Sequence, residues 1–384
     1  MSVPPEPDWL SQDFLSDPYP YYRALRESDP VHYDSLRKRW LLTRYDDVTK
    51  VLRDDVAFTA QEHDTATTML VTDPPQHTRL RSLVSKAFTP RAVLALTPRI
   101  HEIVDELLAA VPADGGMEVI AQYAFPLPIT VIAELLGVDP DRRDFFRDAS
   151  SKIAVAMGPS TDTYMAQSAF AGRGDLIGYF NELIEARTAA PRDDLVSSLV
   201  AVEDGGSTLT RGELLAMLLI LLVGGHETTV NLIANGLLAL LRDREKFEQL
   251  RTTPGIERPA VEEMLRYDAP VQYSGRIARN DTSIGGVAIR KGDHVRVLLA
   301  AANRDPAMFP RPDDLDLERE MNAHVAFGTG IHHCLGAPLA RLEGEIALAA
   351  LVRRFPEMRL DETRPLRYRP AAVLRGMEAL HVRL

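Results

Sequence analysis

The chain has almost no cysteine: Cys334 is the only one in 384 residues. A single cysteine excludes an internal disulfide, so a fold stapled by disulfides is ruled out. Basic residues are also in deficit, because 44 Lys and Arg against 55 Asp and Glu give a net charge of −11. This balance argues against nucleic acid as the main partner. The remaining composition, 45% hydrophobic and 26% charged, is that of an ordinary globular protein.

Long apolar runs are missing as well. The longest, residues 214–225, is well short of the roughly 20 residues that span a bilayer, and it predicts a buried helix instead. The first ten residues are polar and interrupted by proline, and they lack the basic and apolar parts of a secretory signal. We therefore expect a cytoplasmic protein without a membrane anchor.

Helical periodicity dominates the chain, and strand-like alternation is confined to two regions. The predicted helices cover residues 20–27, 45–54, 78–88, 90–111, 128–136, 142–155, 164–189, 193–203 and 211–242. The predicted strands are residues 31–33, 40–43, 276–278, 282–284, 287–289 and 294–299. Residues 57–72 and 157–164 are polar and weakly patterned, and they predict loops of a length common in lids and binding segments. No linker divides the chain, so we predict one mainly α domain, 1–384, with a small β region.

The cysteine lies in a glycine-rich segment that leads into a helix. Residues 327–336 read Phe-Gly-Thr-Gly-Ile-His-His-Cys-Leu-Gly, and the following Ala337-Pro338 puts proline in a first helical turn. A lone cysteine is most often a buried core residue. Here the glycines let the backbone pass close to a flat ligand. A thiolate is an electron-rich ligand for iron, and the helix N-terminus stabilises its negative charge.

This spacing resembles the signature Phe-x-x-Gly-x-His/Arg-x-Cys-x-Gly of the haem-thiolate cytochrome P450 monooxygenases. The resemblance implies the single-domain cytochrome P450 fold of the soluble bacterial type. In that fold, haem b lies between a long distal helix and the proximal cysteine loop and helix. Cys334 would supply the axial thiolate of the iron. The other signature residues are Phe327, Gly330, His332 and Gly336, and Gly328 between them is likewise expected near haem.

A second motif interrupts the long apolar helix. Residues 222–229 read Leu-Val-Gly-Gly-His-Glu-Thr-Thr, and each mid-helix glycine costs about 1 kcal/mol. That cost indicates a kink or a bulky group lying against the backbone. The resemblance implies that Gly224 contacts haem and that Glu227 and Thr228 are the catalytic acid–alcohol pair that relays protons for oxygen activation. A glycine-packed helix crossing is the alternative interpretation.

Glu263 and Arg266 form an i,i+3 pair on a further helix. Such a pair is ordinarily a surface contact worth a few tenths of a kcal/mol. The resemblance implies instead a buried, structural pair that anchors the loop leading to the cysteine. Its third partner is left open between Arg319 and His324.

The resemblance also assigns residues to the two haem carboxylates and to the substrate. Arginine supplies paired donors to carboxylates, and the implied partners are His77, Arg81, Arg276 and His332, with Leu70 as a further haem contact. Pocket residues that the resemblance places near the substrate are Met69, Leu219, Val223, Val271, Val373 and Leu374. Their apolar character predicts a small hydrophobic substrate such as a polyketide, terpenoid or aromatic metabolite.

The implied activity is insertion of one oxygen atom of O₂, by hydroxylation or epoxidation, into a substrate typical of secondary metabolism. No flavin or NAD segment is recognisable, so we expect electrons from a separate ferredoxin and ferredoxin reductase, ultimately from NAD(P)H. A basic patch is predicted to dock the ferredoxin; its members are Arg79, Lys86, Arg91 and Arg341.

Two alternatives stay open from the sequence. One is a haem-thiolate protein with other chemistry, such as oxidative coupling, dehydration or gas sensing. The other is a zinc-binding structural protein, whose candidate ligands are His324, His332, His333 and Cys334.

Overall fold

The structure, a computed structural model, describes residues 3–61, 68–112, 115–155 and 163–384. Two parts of the predicted loops, residues 62–67 and 157–162, lie outside this description. Within the described ranges the chain is mainly helical with short strands, as the sequence predicts. The helices are α1 (Gln12–Ser16), α2 (Tyr19–Ser28), α3 (Tyr45–Arg53), α4 (Gln76–Ala87), α5 (Pro90–Ala95), α6 (Thr97–Ala109), α7 (Pro126–Leu135), α8 (Arg143–Val155), α9 (Thr163–Ala189), α10 (Leu195–Ala201), α11 (Arg211–Arg242), α12 (Arg244–Thr252), α13 (Glu257–Tyr267), α14 (Leu299–Ala302) and α15 (Ala337–Arg354).

The strands are short and belong to three sheets. They are β1 (Val31–Asp34), β2 (Arg39–Leu42), β3 (Phe58–Thr59), β4 (Gly116–Glu118), β5 (Ser274–Ala278), β6 (Thr282–Ile284), β7 (Val287–Ile289), β8 (His294–Val297), β9 (Arg359–Leu360) and β10 (His381–Arg383). The largest sheet has the order β1-β2-β8-β5-β3. Strands β2 and β8 pair in parallel, with Arg39 opposite His294, while the other neighbours in this sheet are antiparallel. The sheet therefore joins the start of the chain to its last third.

The predicted helix 90–111 and the predicted strand 294–299 are both interrupted, for identifiable reasons. The predicted helix 90–111 is divided into α5 and α6 because Pro98 in the first turn of α6 has no N–H to continue the bonds of α5. The hydroxyl of Thr97 instead donates to the carbonyl of Leu94, at 2.7 Å. The predicted strand 294–299 ends at Val297, because the helical turn α14 begins at Leu299.

Helix α11 is the central element of the main core. Thr210 and Glu213 close a capping box at its start, so its first free N–H groups are satisfied. By length and mean hydropathy, 1.5 over its most apolar window, α11 would qualify as a membrane span, yet 61% of that window is buried inside the protein. Helix α11 is thus a core helix. It packs closely on α7, where a Cβ at Gly225 would lie 3.3 Å from Cδ1 of Ile132.

Candidate active site

The loop that carries the cysteine closes on itself. The N–H of Cys334 donates to the carbonyl of Phe327 at 3.0 Å. Gly328 and Gly330 have φ angles of 67° and 74°, in the left-handed region that favours glycine. Gly330 also rests on α3, where an added Cβ would lie 2.5 Å from the carbonyl oxygen of Leu52. These two glycines therefore fix the path of the backbone that presents the sulfur.

Replacing Gly330 with alanine is expected to cost more stability than replacing Gly328. Both variants acquire a strained left-handed residue, worth about 1–3 kcal/mol. Only at position 330 does the new methyl group also collide with backbone, since the nearest atom to a Cβ at Gly328 is 4.0 Å away. Urea unfolding of the two variants measures the difference. Equal destabilisation would show that the contact with α3 does not fix the loop.

Cys334 is an exposed residue that lies just before α15, which begins at Ala337. Burial by the surrounding protein raises the pKa of the thiol. The backbone N–H groups of Gly336 and Ala337 and the charges of Arg81 and Arg341 act in the opposite direction and lower that pKa. The site thus combines an exposed cysteine with donors and cations that favour its anion, which fits the ligand chemistry of a thiolate.

The two adjacent glycines of α11, Gly224 and Gly225, have different surroundings. Helix α11 runs through the pair without a break. Gly225 makes the helix crossing with α7, whereas a Cβ at Gly224 would meet nothing within 4 Å. Gly224 is exposed in mid-helix, and its carbonyl accepts the Thr228 hydroxyl at 2.9 Å. The open backbone at Gly224 fits a bulky group lying against this face.

Glu227 is buried and ion-paired, with 5% of its side chain exposed. Its partner is Arg369, which retains 28% exposure and so connects the carboxylate to the surface. Arg369 is further held by its Nε, which donates to the carbonyl of Met377 at 3.1 Å. The sequence analysis missed Arg369, which lies 142 residues from Glu227 and belongs to no motif.

His226 lies beside Glu227 and forms a hydrogen bond with Ser150 of α8. Its Nδ1 donates to the carbonyl of Leu222 at 2.9 Å, which leaves Nε2 to accept the Ser150 hydroxyl at 3.2 Å. Burial lowers the pKa of His226 to about 4, so the ring is neutral at physiological pH. Its Nε2 lies 3.8 Å from a carboxylate oxygen of Glu227. Because Nε2 and the carboxylate are both acceptors, His226 and Glu227 lie side by side without a hydrogen bond, and the polar groups form two pairs, Ser150 with His226 and Glu227 with Arg369.

Three of the residues expected to hold the haem carboxylates meet in one place. The rings of His77 and His332 are 4.5 Å apart between centroids. Burial lowers the pKa of His332 to about 4, and the charges of the buried Arg276 and of His77 act in the same direction. Nε2 of His77 and Nδ1 of His332 are buried without a hydrogen-bond partner. Two orphaned ring nitrogens beside a buried guanidinium fit a group that brings carboxylates, as haem does.

The predicted pocket residues fall into separate groups. Val271 bridges to Leu374, and the N–H of the residue after Val271 donates to the carbonyl of Val373 at 2.8 Å, so these three lie together. Leu219 and Val223 lie one turn apart on α11. Met69 is buried, while Leu70 is 53% exposed.

Glu263 and Arg266 are fully buried and form the centre of a larger network. Arg266 donates twice to Glu263, at 2.7 Å each. Arg319 is the third partner, with its Nε at 3.1 and 3.2 Å from the two carboxylate oxygens. Nδ2 of Asn322 adds a bond of 3.0 Å, and the N–H of Asp316 one of 2.8 Å. The other candidate for third partner, His324, binds Glu262 instead.

Most of the positive charge of the predicted docking patch is neutralised by carboxylates of the same chain. Three of its members are paired within the chain: Arg79 with Glu213, Lys86 with Asp204, and Arg341 with Glu262. Because these three cations are balanced by carboxylates within the chain, the patch carries less free positive charge than its residue types suggest, and the docking of a ferredoxin there stays a prediction.

The zinc alternative is also not supported. In the part of the chain that the structure describes, no three His, Cys, Asp or Glu side chains converge as metal ligands. A tetrahedral zinc site needs such a set.

Comparison with known proteins decides the family. The cytochrome P450 family model matches residues 163–253 and 258–376. The chain belongs to the cytochrome P450 family. It is 43% identical to the vitamin D(3) 25-hydroxylase of Pseudonocardia autotrophica, over 98% of this chain and 96% of that protein. The predicted family, fold, haem b cofactor and monooxygenase class are thereby confirmed.

Solved structures of other bacterial cytochromes P450 share the fold. The bacillaene polyketide synthase cytochrome P450 PksS of Bacillus subtilis 168 superposes with a TM-score of 0.92 at 37% identity, covering 99% of this chain and 100% of that one. CYP109E1 of Bacillus megaterium, in complex with testosterone, gives a TM-score of 0.89 at 35% identity, covering 96% and 99%. As a cytochrome P450, the chain uses O₂ and receives its electrons from a redox partner.

Proposed function

We propose that this cytochrome P450 hydroxylates or epoxidises an apolar small molecule of steroid or polyketide size. Cys334 provides the thiolate ligand, and Glu227 and Thr228 relay protons. The observation that carries this proposal is the exposed Cys334 just before the N-terminus of α15, a helix that packs on α11 where Gly344 meets Leu232. The exposed backbone of Gly224 belongs to the same distal helix.

The substrate class rests on the relatives and on the apolar pocket residues. One relative is named for vitamin D(3), one structure contains testosterone, and one belongs to a polyketide synthase system. The joined residues Val271, Val373 and Leu374 offer aliphatic surface to a substrate of that kind. Apolar lining with few polar groups is typical of sites for such molecules.

The protein's own residues supply the binding groups and the protons. Haem, when bound, supplies O₂ activation and transfer of one oxygen atom. The N–H groups of Gly336 and Ala337 stabilise the thiolate, while His77 and His332 offer their unpartnered nitrogens to the haem carboxylates. Arg276 adds a buried cation there.

Each turnover consumes two electrons and two protons, because substrate and O₂ yield hydroxylated product and water. The Thr228 hydroxyl donates to the Gly224 carbonyl, so its oxygen keeps lone pairs that can accept a hydrogen bond. Glu227, the neighbouring residue, is ion-paired with the partly exposed Arg369, and we assign it the role of passing protons from the surface. The electrons come from a ferredoxin and its reductase in the cytoplasm.

Turnover under ¹⁸O₂ tests the proposed reaction. The reconstituted enzyme is given a steroid and a polyketide lactone with a surrogate ferredoxin and reductase. The expected product carries one ¹⁸O atom per molecule formed. A product that lacks ¹⁸O, or a coupled dimer, would contradict oxygen insertion and favour the non-hydroxylating alternative.

Removing Glu227 or its partner is expected to slow proton delivery. The variant Glu227→Gln should lower turnover by about 10²-fold, the lower end of what general acid catalysis contributes. Arg369→Gln should lower it less and raise the solvent deuterium isotope effect, because the carboxylate loses its connection to the surface. Arg367→Gln changes an exposed arginine of the same segment and is the matched control. An isotope effect that is equal in all three variants and the wild type would contradict the relay.

A further inference from the structure

Glu262 lies next to Glu263 on α13 but binds a different set of partners. Its Oε2 is 2.8 Å from Nε2 of His324. Arg341 reaches both carboxylate oxygens, with Nε at 2.5 Å and Nη2 at 3.1 Å. His324 precedes Cys334 in the chain and Arg341 follows it on α15. The Glu262 carboxylate therefore binds one residue on each side of Cys334 in the chain, His324 before it and Arg341 after it.

The charges in this cluster can be assigned from its hydrogen bonds. The N–H of Ala326 donates to Nδ1 of His324 at 3.2 Å, so this nitrogen carries no proton. Nε2 must then be the protonated nitrogen that donates to Glu262, and the ring is neutral. Hydrogen bonds from His324 and Arg341 overcome the burial of the Glu262 carboxyl and lower its pKa to about 2. Arg341 is therefore the permanent positive charge that faces the Glu262 carboxylate.

Arg341 is also coupled to the cysteine loop. Its guanidinium lies 4.6 Å from the ring centroid of Phe327, whose carbonyl accepts the N–H of Cys334. Arg341 lies near the start of α15, the helix that follows Cys334. A cation that packs on the loop presenting the sulfur, and whose counter-ion is a carboxylate, gives that carboxylate influence over the electrostatic field at the ligand.

We propose that Glu262 is a positioning residue that sets the charge experienced by the Cys334 thiolate, by offsetting Arg341 and by joining the segment at His324 to α15. This inference rests on the proposed function, in which Cys334 is the thiolate ligand of haem. It is separate from the Glu263 network, which binds Arg266 and the segment around Asp316.

Replacing Glu262 and replacing Arg341 are expected to shift the haem reduction potential in opposite directions. Reduction adds an electron, so an uncompensated cation favours the reduced form and loss of a cation disfavours it. Glu262→Gln should therefore raise the haem reduction potential, and Arg341→Gln should lower it. We expect each to change the reduction equilibrium by up to about tenfold, which corresponds to about 59 mV for a one-electron couple.

Spectroelectrochemical titration of the haem-loaded protein tests this inference. The set comprises the wild type, Glu262→Gln, Arg341→Gln and the double variant, in which the two shifts should largely cancel. Glu257→Gln is the matched control, since Glu257 lies on the same helix and pairs with Arg353 at the surface. Arg341→Lys keeps the charge and should keep the wild-type potential, so Arg341 alone decides the matter if Glu262→Gln does not fold.

The outcomes separate the inference from the proposed function. The CO-bound absorption band of thiolate ligation in the wild type is recorded first, and its absence would defeat the proposed ligand and this inference together. If that band is present, potentials that do not move, or that move in the same direction in both single variants, overturn only the role of Glu262. If Glu262 only stabilised the fold, every variant would have a lower melting temperature. The potential shifts of Glu262→Gln and Arg341→Gln would then not have opposite signs.

Discussion

The variant Glu263→Gln is expected to lose about 3–5 kcal/mol of stability, because breaking a buried ion pair leaves an uncompensated charge. Both Glu263 and Arg266 are fully buried. The carboxylate also accepts hydrogen bonds from Arg319, Asn322 and the backbone of Asp316. Removing its charge leaves two guanidinium groups without their counter-ion. Urea unfolding followed by circular dichroism measures the loss.

Glu257→Gln provides the matched control for this variant. Glu257 lies on the same helix, and its ion pair with Arg353 is partly exposed at 24% and 45% of the two side chains. An exposed pair contributes about 0–1 kcal/mol. Equal losses in the two variants would show that the network around Glu263 does not carry the stability that its burial implies.

The variant Cys334→Ser is expected to abolish thiolate ligation and oxygen insertion. Serine keeps the size of the side chain but presents a hydroxyl, which is a much poorer electron donor to iron. Activity should fall by more than the roughly 10–100-fold that loss of a residue outside the ligand shell costs. The CO-bound absorption spectrum and product formation under ¹⁸O₂ are the measurements.

Thr329→Val is the control for this change within the same loop. Thr329 accepts a hydrogen bond from Nε of Arg53 at 3.2 Å and makes no contact with the sulfur in the described structure. It should keep the thiolate band. A Cys334→Ser protein with the wild-type spectrum would remove Cys334 from the ligand position.

Local patterns predicted the parts of the site that lie close together in the chain. The glycine spacing around Cys334 indicated the loop, since Gly328 and Gly330 adopt the left-handed angles that only glycine takes easily. The boundaries of α11, Arg211–Arg242, were predicted exactly as they occur because an apolar run follows the capping box at Thr210 and Glu213.

Contacts between residues far apart in the chain could not be predicted from local sequence patterns. Arg369 and Glu227 are 142 residues apart, and only the packing of the C-terminal segment on α11 brings them together. Glu262 binds His324 and Arg341, which are 62 and 79 residues away. Strands β3, β4, β9 and β10 were missed because two or three residues are too few to show alternation, and β3 lies in the segment 57–72 that was predicted to be a loop.

The parallel pairing of β2 with β8 has a consequence for biosynthesis. Strand β2 is complete at Leu42, but its partner begins only at His294. On the ribosome, the hairpin of β1 and β2 therefore emerges long before the strand that covers its open edge. Unpaired edges recruit other strands, and pairing over such a separation is slow. We therefore expect the yield of folded enzyme in a cell to depend on how well nascent chains are kept apart until β8 has been translated.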